Sequence, residues 1–360
     1  MKMPIFLAVG LLALGSCNGG GSGTIVAPAP TPTPPVITII GESRMLSGTG
    51  AVTLLNPVRE IGAVYSYGAG GVRIDYQQGV DWIQSGTGIA RTSTSKIPDF
   101  AAYTYTRITG EKFDFASEPR NPPVTLGYSV YVDYLSTAAD KTVKATPLPK
   151  QSGTILCAGD SIAHGAHTVA SYYKDSDEQS WCGLLRKNLA GRFSVVNASV
   201  PGAALGSFAD DLDTWLASKP ETVILAFGMN DHINVESYLS VFERRLAKVL
   251  DRLAAEKTQV ILVGFFQQNE RWNLEDRVQT LAYNGAIRNA AQSRGLPFVD
   301  AYAAFAKASM GSEQFFHLTG DFMHHPNVYG QRIYYSLLLP YFLQQDTAAS
   351  KLPDYVQGDW

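Results

Sequence analysis

The chain is short of cysteine, of histidine and of net charge, and each shortage closes off a class of function. With 3 cysteines and 6 histidines in 360 residues, it holds neither the paired cysteines of a zinc knuckle nor a disulfide-dense framework. Lys and Arg total 29 against 32 Asp and Glu, a net charge of −3. No basic field is available to release counterions from a polyanion, so nucleic acid is not expected as a partner. The apolar stretch Ile5 to Leu14 is too short to span a membrane as a mature helix.

What the chain does have is organised in blocks. A lone Lys2, the apolar stretch, and small Gly15 and Ser16 before Cys17 form an export signal. Leu14-Gly15-Ser16-Cys17 resembles the bacterial lipobox, which implies removal of the leader 1–17 and a lipidated Cys17. Asn18 rather than Asp implies release from the inner membrane. The expected product is an exported lipoprotein, anchored at the outer membrane and facing the periplasm or the cell surface. Residues 18–35 are rich in Gly and Ser, then in Pro, and read as a flexible tether that stiffens toward its end. Cys157 and Cys182 are left, bonded or free.

From 36 to 150 the apolar period is two. Val72 to Tyr76 and Tyr128 to Tyr134 each put apolar or aromatic residues on one face, and no helical period is evident. This predicts a small antiparallel β-sandwich-like domain. Its aromatic set of Tyr65, Tyr67, Tyr76, Trp82, Tyr103, Tyr105, Tyr128, Tyr131 and Tyr134 is read as mainly structural, with a carbohydrate-binding face as the alternative.

From 151 to 346 strands alternate with amphipathic helices. The predicted strands are Thr154 to Ala158, Phe193 to Asn197, Thr222 to Phe227, Gln259 to Phe265 and Pro297 to Asp300, nearly continuous apolar runs of the kind buried on both faces. Between the third and fourth, Val235, Tyr238, Leu239, Phe242, Leu246, Val249, Leu250 and Leu253 form a helical stripe. A last helix is expected from Val328 to Gln345, interrupted by Pro340. This is a parallel α/β domain, and the tail 347–360 is polar and left unassigned.

A serine is a poor nucleophile until a base takes its proton, another group orients the base, and donors receive the oxyanion. Each need has a candidate at a predicted strand end. Gly159-Asp160-Ser161-Ile162 follows the first strand, Asn197 to Gly202 the second, and Gly228-Met229-Asn230-Asp231 the third, while Asp321 to Asn327 precedes the last helix. In this order the four segments resemble the blocks of the SGNH hydrolases, the GDSL-type esterases and lipases. The resemblance spans about residues 153–345 and implies a three-layer, flavodoxin-like sheet. It implies Ser161 as nucleophile, Asp321 as the residue that orients the base, and an oxyanion hole of the Ser161 and Gly202 amides with the Asn230 side chain. The family's Asp-x-x-His-Pro pattern is split here by one extra residue. His324 keeps the spacing and His325 keeps the proline; His325 is favoured because Pro326 restricts its backbone. The α/β-hydrolases, which share the Ser, Asp, His order, need a Gly-x-Ser-x-Gly elbow that this sequence lacks.

His164, His167 and His232 lie near these blocks without a metal-ligand spacing, and no metal or cofactor is expected. Gln267, Gln268, Asn269 and Arg271 follow the fourth strand and are candidate substrate contacts, with Trp272 either a sugar platform or a structural cap. The expected activity is hydrolysis of a carboxylic ester through an acyl-enzyme, most specifically O-deacetylation of a carbohydrate or polysaccharide. A lipase or lysophospholipase, and a glycan-binding protein with an inactive hydrolase fold, are the alternatives.

Overall fold

The computed structural model describes residues 36–103, 122–233, 238–311, 317–344, 347–358 and 360. The leader, Cys17, the 18–35 tether, Tyr105 and Val235 lie outside the described residues. In chain order the strands are β1 (Ile37–Arg44), β2 (Ala51–Thr53), β3 (Val58–Tyr67), β4 (Arg73–Asp75), β5 (Trp82–Ser85), β6 (Gly88–Arg91), β7 (Val130–Ser136), β8 (Gly153–Gly159), β9 (Phe193–Asn197), β10 (Thr222–Ala226), β11 (Gln259–Val263) and β12 (Phe298–Val299). The last five follow the predicted apolar runs to within one or two residues at most ends.

Two antiparallel sheets, ordered β1-β7-β3-β4 and β2-β6-β5, form the N-terminal part. Their inward faces share a core that includes Ile39, Val64, Trp82, Ile89, Val132 and Tyr134, as alternation requires of a half-buried sheet. One feature departs from expectation: a seven-residue helix, Pro122–Tyr128, precedes β7. It is too short to register a helical period against the surrounding alternation.

The remaining five strands form a parallel sheet ordered β12-β11-β10-β8-β9. Helices Trp181–Asn188 and Val328–Leu338 pack together on the β9 side of one face, and Leu239–Ala255 and Arg277–Arg294 pack together on the other. The stripe Phe242, Leu246, Val249, Leu250 and Leu253 is buried. Tyr238, predicted to belong to it, is the exposed residue before the helix. The chain leaves β8 for β9 on one side and returns to β10 on the other. The crevice beyond the carboxyl ends of these three strands is therefore the sheet's switch point, where such folds bind ligands.

Cys157 on β8 and Cys182 on helix Trp181–Asn188 are joined in a disulfide with a Cα separation of 6.4 Å. Pro340 ends the last helix at Leu338 and leads into a 3-10 turn, Leu339–Phe342. The C-terminal residues are not a loose tail. Val356 N–H donates to Ser336 Oγ at 2.6 Å, Val143 N–H to Tyr355 Oη at 2.8 Å, and Lys141 N–H to Gln357 Oε1 at 2.6 Å. Residues 35–360 form one compact unit.

Candidate active site

Ser161 opens the short helix Ser161–His164 directly after β8. The preceding Gly159 has no room for a side chain: a Cβ there would come within 2.7 Å of both Ala226 O and Ala163 Cβ. Asp160 caps the helix by accepting the Ile162 N–H at 2.8 Å, and burial pushes its carboxyl up to about 7. Gln331 of the last helix locks the region from behind, donating to Ile162 O at 2.9 Å and accepting Trp181 N–H at 3.0 Å. Nothing in the sequence marked Gln331, because its partners lie about 150 residues away.

The opposing histidine rides on a hairpin. Thr319 bridges Pro326, Gly320 N–H donates to His325 O at 2.8 Å, and Asn327 N–H to Leu318 O at 2.9 Å. At its tip Phe322 takes a left-handed φ of 61°. The turn this makes aims three successive N–H groups, of Met323, His324 and His325, at Asp321 Oδ1 at 2.9, 3.0 and 3.1 Å. The other oxygen, Oδ2, lies 2.6 Å from His325 Nδ1, and His325 Nε2 lies 3.0 Å from Ser161 Oγ. Burial alone would raise the Asp321 carboxyl. The imidazoles of His325, His324 and His167, with the His325 hydrogen bond, outweigh burial and hold it well below the usual carboxylate range.

His324 takes a different place. Its Nδ1 is 3.6 Å from Asp321 Oδ2, and its ring stacks on Trp272 with centroids 4.6 Å apart. His325 is stacked in turn by His167, at 4.4 Å and 7° between planes. Donor atoms of His167, Asp321 and His325 all fall within 4.8 Å of one another. Both His325 nitrogens, however, are already within hydrogen-bond reach of Asp321 and Ser161, an arrangement suited to moving a proton.

The loops after β9 and β10 complete the rim. Gly202 has a φ of 79° with no protein atom within 4 Å of a would-be Cβ, so the left-handed backbone rather than crowding by the chain calls for glycine. Asn230 donates to Ala203 O at 3.0 Å, while the Asp231 carboxylate accepts Leu205 N–H through both oxygens at 3.1 and 3.0 Å. These reciprocal bonds tie the two loops together. Asp231 was not singled out from the sequence, and burial raises it to about 6.

The predicted substrate contacts make internal hydrogen bonds. Gln268 and Asn269 are buried and use their amides on Phe266 O (2.7 Å) and Phe322 O (2.7 Å). Gln267 donates to Glu270 and accepts from Tyr302. Trp272 is fully buried and its face is covered by His324, so it is no sugar platform. His232 lies beside Thr280 and Met229 O, and burial pushes it down to about 4.

Sheet order and flanking helices give the α/β part the three-layer arrangement of the SGNH fold. Residues 157–333 match the model of the GDSL-like Lipase/Acylhydrolase family, and this part of the chain belongs to that family as a carboxylic ester hydrolase. Similar solved structures include a lipase/acylhydrolase from Enterococcus faecalis, at 20% identity, covering 52% of this chain and 93% of that one with a TM-score of 0.44. A lipolytic protein of the G-D-S-L family from Veillonella parvula is also similar, at 20% identity, 53% and 98% coverage and a TM-score of 0.43. A catalytic mutant of an acetylxylan esterase from Geobacillus stearothermophilus has 19% identity, 54% and 97% coverage and a TM-score of 0.44. No curated protein matches the sequence.

Proposed function

We propose that this protein is an exported serine esterase that removes small acyl groups, acetyl foremost, from an acylated carbohydrate. The observation that carries the chemistry is the unbroken series from Ser161 Oγ through His325 to Asp321. His325 Nε2 takes the Ser161 proton as Oγ bonds to the ester carbonyl carbon. The resulting oxyanion is received by the Ser161 and Gly202 amides and the Asn230 side chain. The tetrahedral intermediate collapses as His325 returns the proton to the leaving alcohol, which gives the acyl-enzyme. Water repeats the sequence and frees the acid. Asp321, kept ionised, fixes the imidazole with its proton on Nδ1 and stabilises the imidazolium.

Beneath the nucleophile Trp181, Phe227, Phe265 and Tyr334 leave a space of only about 10 Å³, room for roughly one water molecule, so the core does not take in a long acyl chain at that point. A polysaccharide alcohol is supported by the export signal and tether, which would hold the enzyme outside the cytoplasm. The Cys157–Cys182 disulfide fits an oxidising compartment. No helix among the described residues is long and apolar enough to cross a membrane. The anchor we propose is lipid on Cys17, and Cys17→Ser should release the protein from the detergent phase.

The deciding assay combines p-nitrophenyl esters of graded chain length with acetate release from acetylated polysaccharides. Acetyl esters should be preferred and Ser161→Ala should be inactive. A preference for long acyl chains would replace this reading with a lipase, and turnover by Ser161→Ala would remove it altogether.

A further inference from the structure

We propose that the N-terminal β part is a clamp for the hairpin carrying Asp321 and His325, with Thr125, Phe100, Tyr103 and Tyr128 acting as positioning residues. This rests on the assignment of Ser161, His325 and Asp321 to the reaction. It gives the β part a role inside the esterase rather than as a separable binding module.

The hairpin is held at three levels, each by residues from before residue 130. At the stem, Ser43 Oγ of β1 donates to His317 O and accepts from Asn327 Nδ2 at 3.2 Å, while Asn327 also reaches His317 O at 2.5 Å. Arg44 Nη1 lies 2.7 Å from His317 Nε2. Burial and then the Arg44 charge push this imidazole well below its ordinary value, so it accepts as the neutral form. Midway, the buried Thr125 Oγ1 donates to Gly320 O at 2.6 Å. At the tip, the Phe322 ring is fully buried, with centroids 5.4 Å from Phe100, 5.0 Å from Tyr103 and 6.4 Å from Tyr128.

The tip explains why a clamp is needed. A left-handed φ is unfavourable for an aromatic residue, and without outside support position 322 would relax toward the ordinary regions. Relaxation would scatter the three N–H groups that load Asp321 Oδ1 and would turn Oδ2 away from His325. Burying the Phe322 ring in an aromatic box supplied by the β part offsets that tendency. The carboxylate is thus aimed by contacts that never touch substrate.

Thr125→Val removes the hydroxyl donor while keeping the volume, and Thr125→Ser restores it. Tyr103→Leu, at a half-buried site, is the second perturbation should the valine variant fail to fold. The expected result for Thr125→Val and Tyr103→Leu is a kcat on acetyl ester lowered by about 10- to 100-fold, with KM little changed, fold and melting transition retained, and slower fluorophosphonate labelling of Ser161. Thr125→Ser should recover most of the kcat. Wild-type kcat in a folded Thr125→Val and in Tyr103→Leu would overturn the clamp, as would a loss that Thr125→Ser does not recover. Ser161→Ala run alongside separates the two levels: residual turnover there would strike the esterase assignment itself, whereas an inactive Ser161→Ala beside fully active clamp variants would sink the clamp alone.

Discussion

Replacing Asp321 by asparagine tests the assigned chemistry most sharply, because the structure dictates which way the new amide must face. Three main-chain N–H groups converge on Oδ1, so the amide oxygen of Asp321→Asn has to occupy that position. Its NH₂ would otherwise point at three donors. The NH₂ is then forced toward His325 Nδ1 at the site where Oδ2 now sits 2.6 Å away. A donor there makes Nδ1 the acceptor and puts the ring proton on Nε2, facing Ser161 Oγ, where it cannot receive another. The enzyme folds but holds the wrong tautomer, for which a loss of about 10⁴ in kcat is expected, equal to about 5 kcal/mol of barrier. The measurement is kcat on p-nitrophenyl acetate with fluorophosphonate labelling of Ser161 in parallel, and both should fall together. A variant that keeps a tenth of wild-type kcat would refute the tautomer argument and, with it, the role of Asp321.

His325→Ala should lose activity by about 10³-fold or more, whereas His324→Ala, which removes a ring stacked on Trp272, should stay within about tenfold of wild type; steady-state kinetics on the pair decides. Asn230→Ala should cost about 10²–10³ in kcat if its amide serves the oxyanion, and an unchanged kcat would take it out of the hole. Glu275 is buried, and burial pushes its carboxyl up to about 8. The folded state then holds a proton that the unfolded state releases near its ordinary pKa, so this group's stability contribution is full at low pH and is lost as pH rises through about 8. Glu275→Gln should therefore raise the melting temperature more at pH 9 than at pH 5, and equal shifts at both would contradict the assignment. Cys157 and Cys182 are both fully buried, so dithiothreitol should reduce the bond only with denaturant present. Once reduced, a loop of this length should forfeit about 3.5 kcal/mol of stability, read from urea melts.

How much was legible in the sequence follows from how far each signal reaches along the chain. Runs such as Thr222–Ala226 announce themselves because a strand covered on both faces has apolar residues at nearly every position. The serine, glycine and asparagine blocks sit where those runs end, so finding the strands also located the candidate site. His325 could be favoured over His324 because Pro326 is a local restraint. The same local logic places Gln268 and Asn269 on a rim, because polar residues after a strand look exposed; only tertiary structure shows both buried, with Asn269 bonded to Phe322 O, 53 residues on. Trp272 stays undecided between its two readings, and the C-terminal residues unassigned, because their partners are remote in sequence. The helix Pro122–Tyr128 was lost among the alternating segments around it.

The long reach of Ser43, whose hydroxyl meets residues 274 and 284 positions later, bears on how the enzyme comes into being. A chain emerging amino end first would make β1 long before the hairpin it braces exists, and a truncated product starting at Gly153 would carry the nucleophile and the hairpin without the Ser43 and Thr125 hydroxyls that brace it. The active centre is thus fully braced only once segments 284 positions apart in the sequence have met.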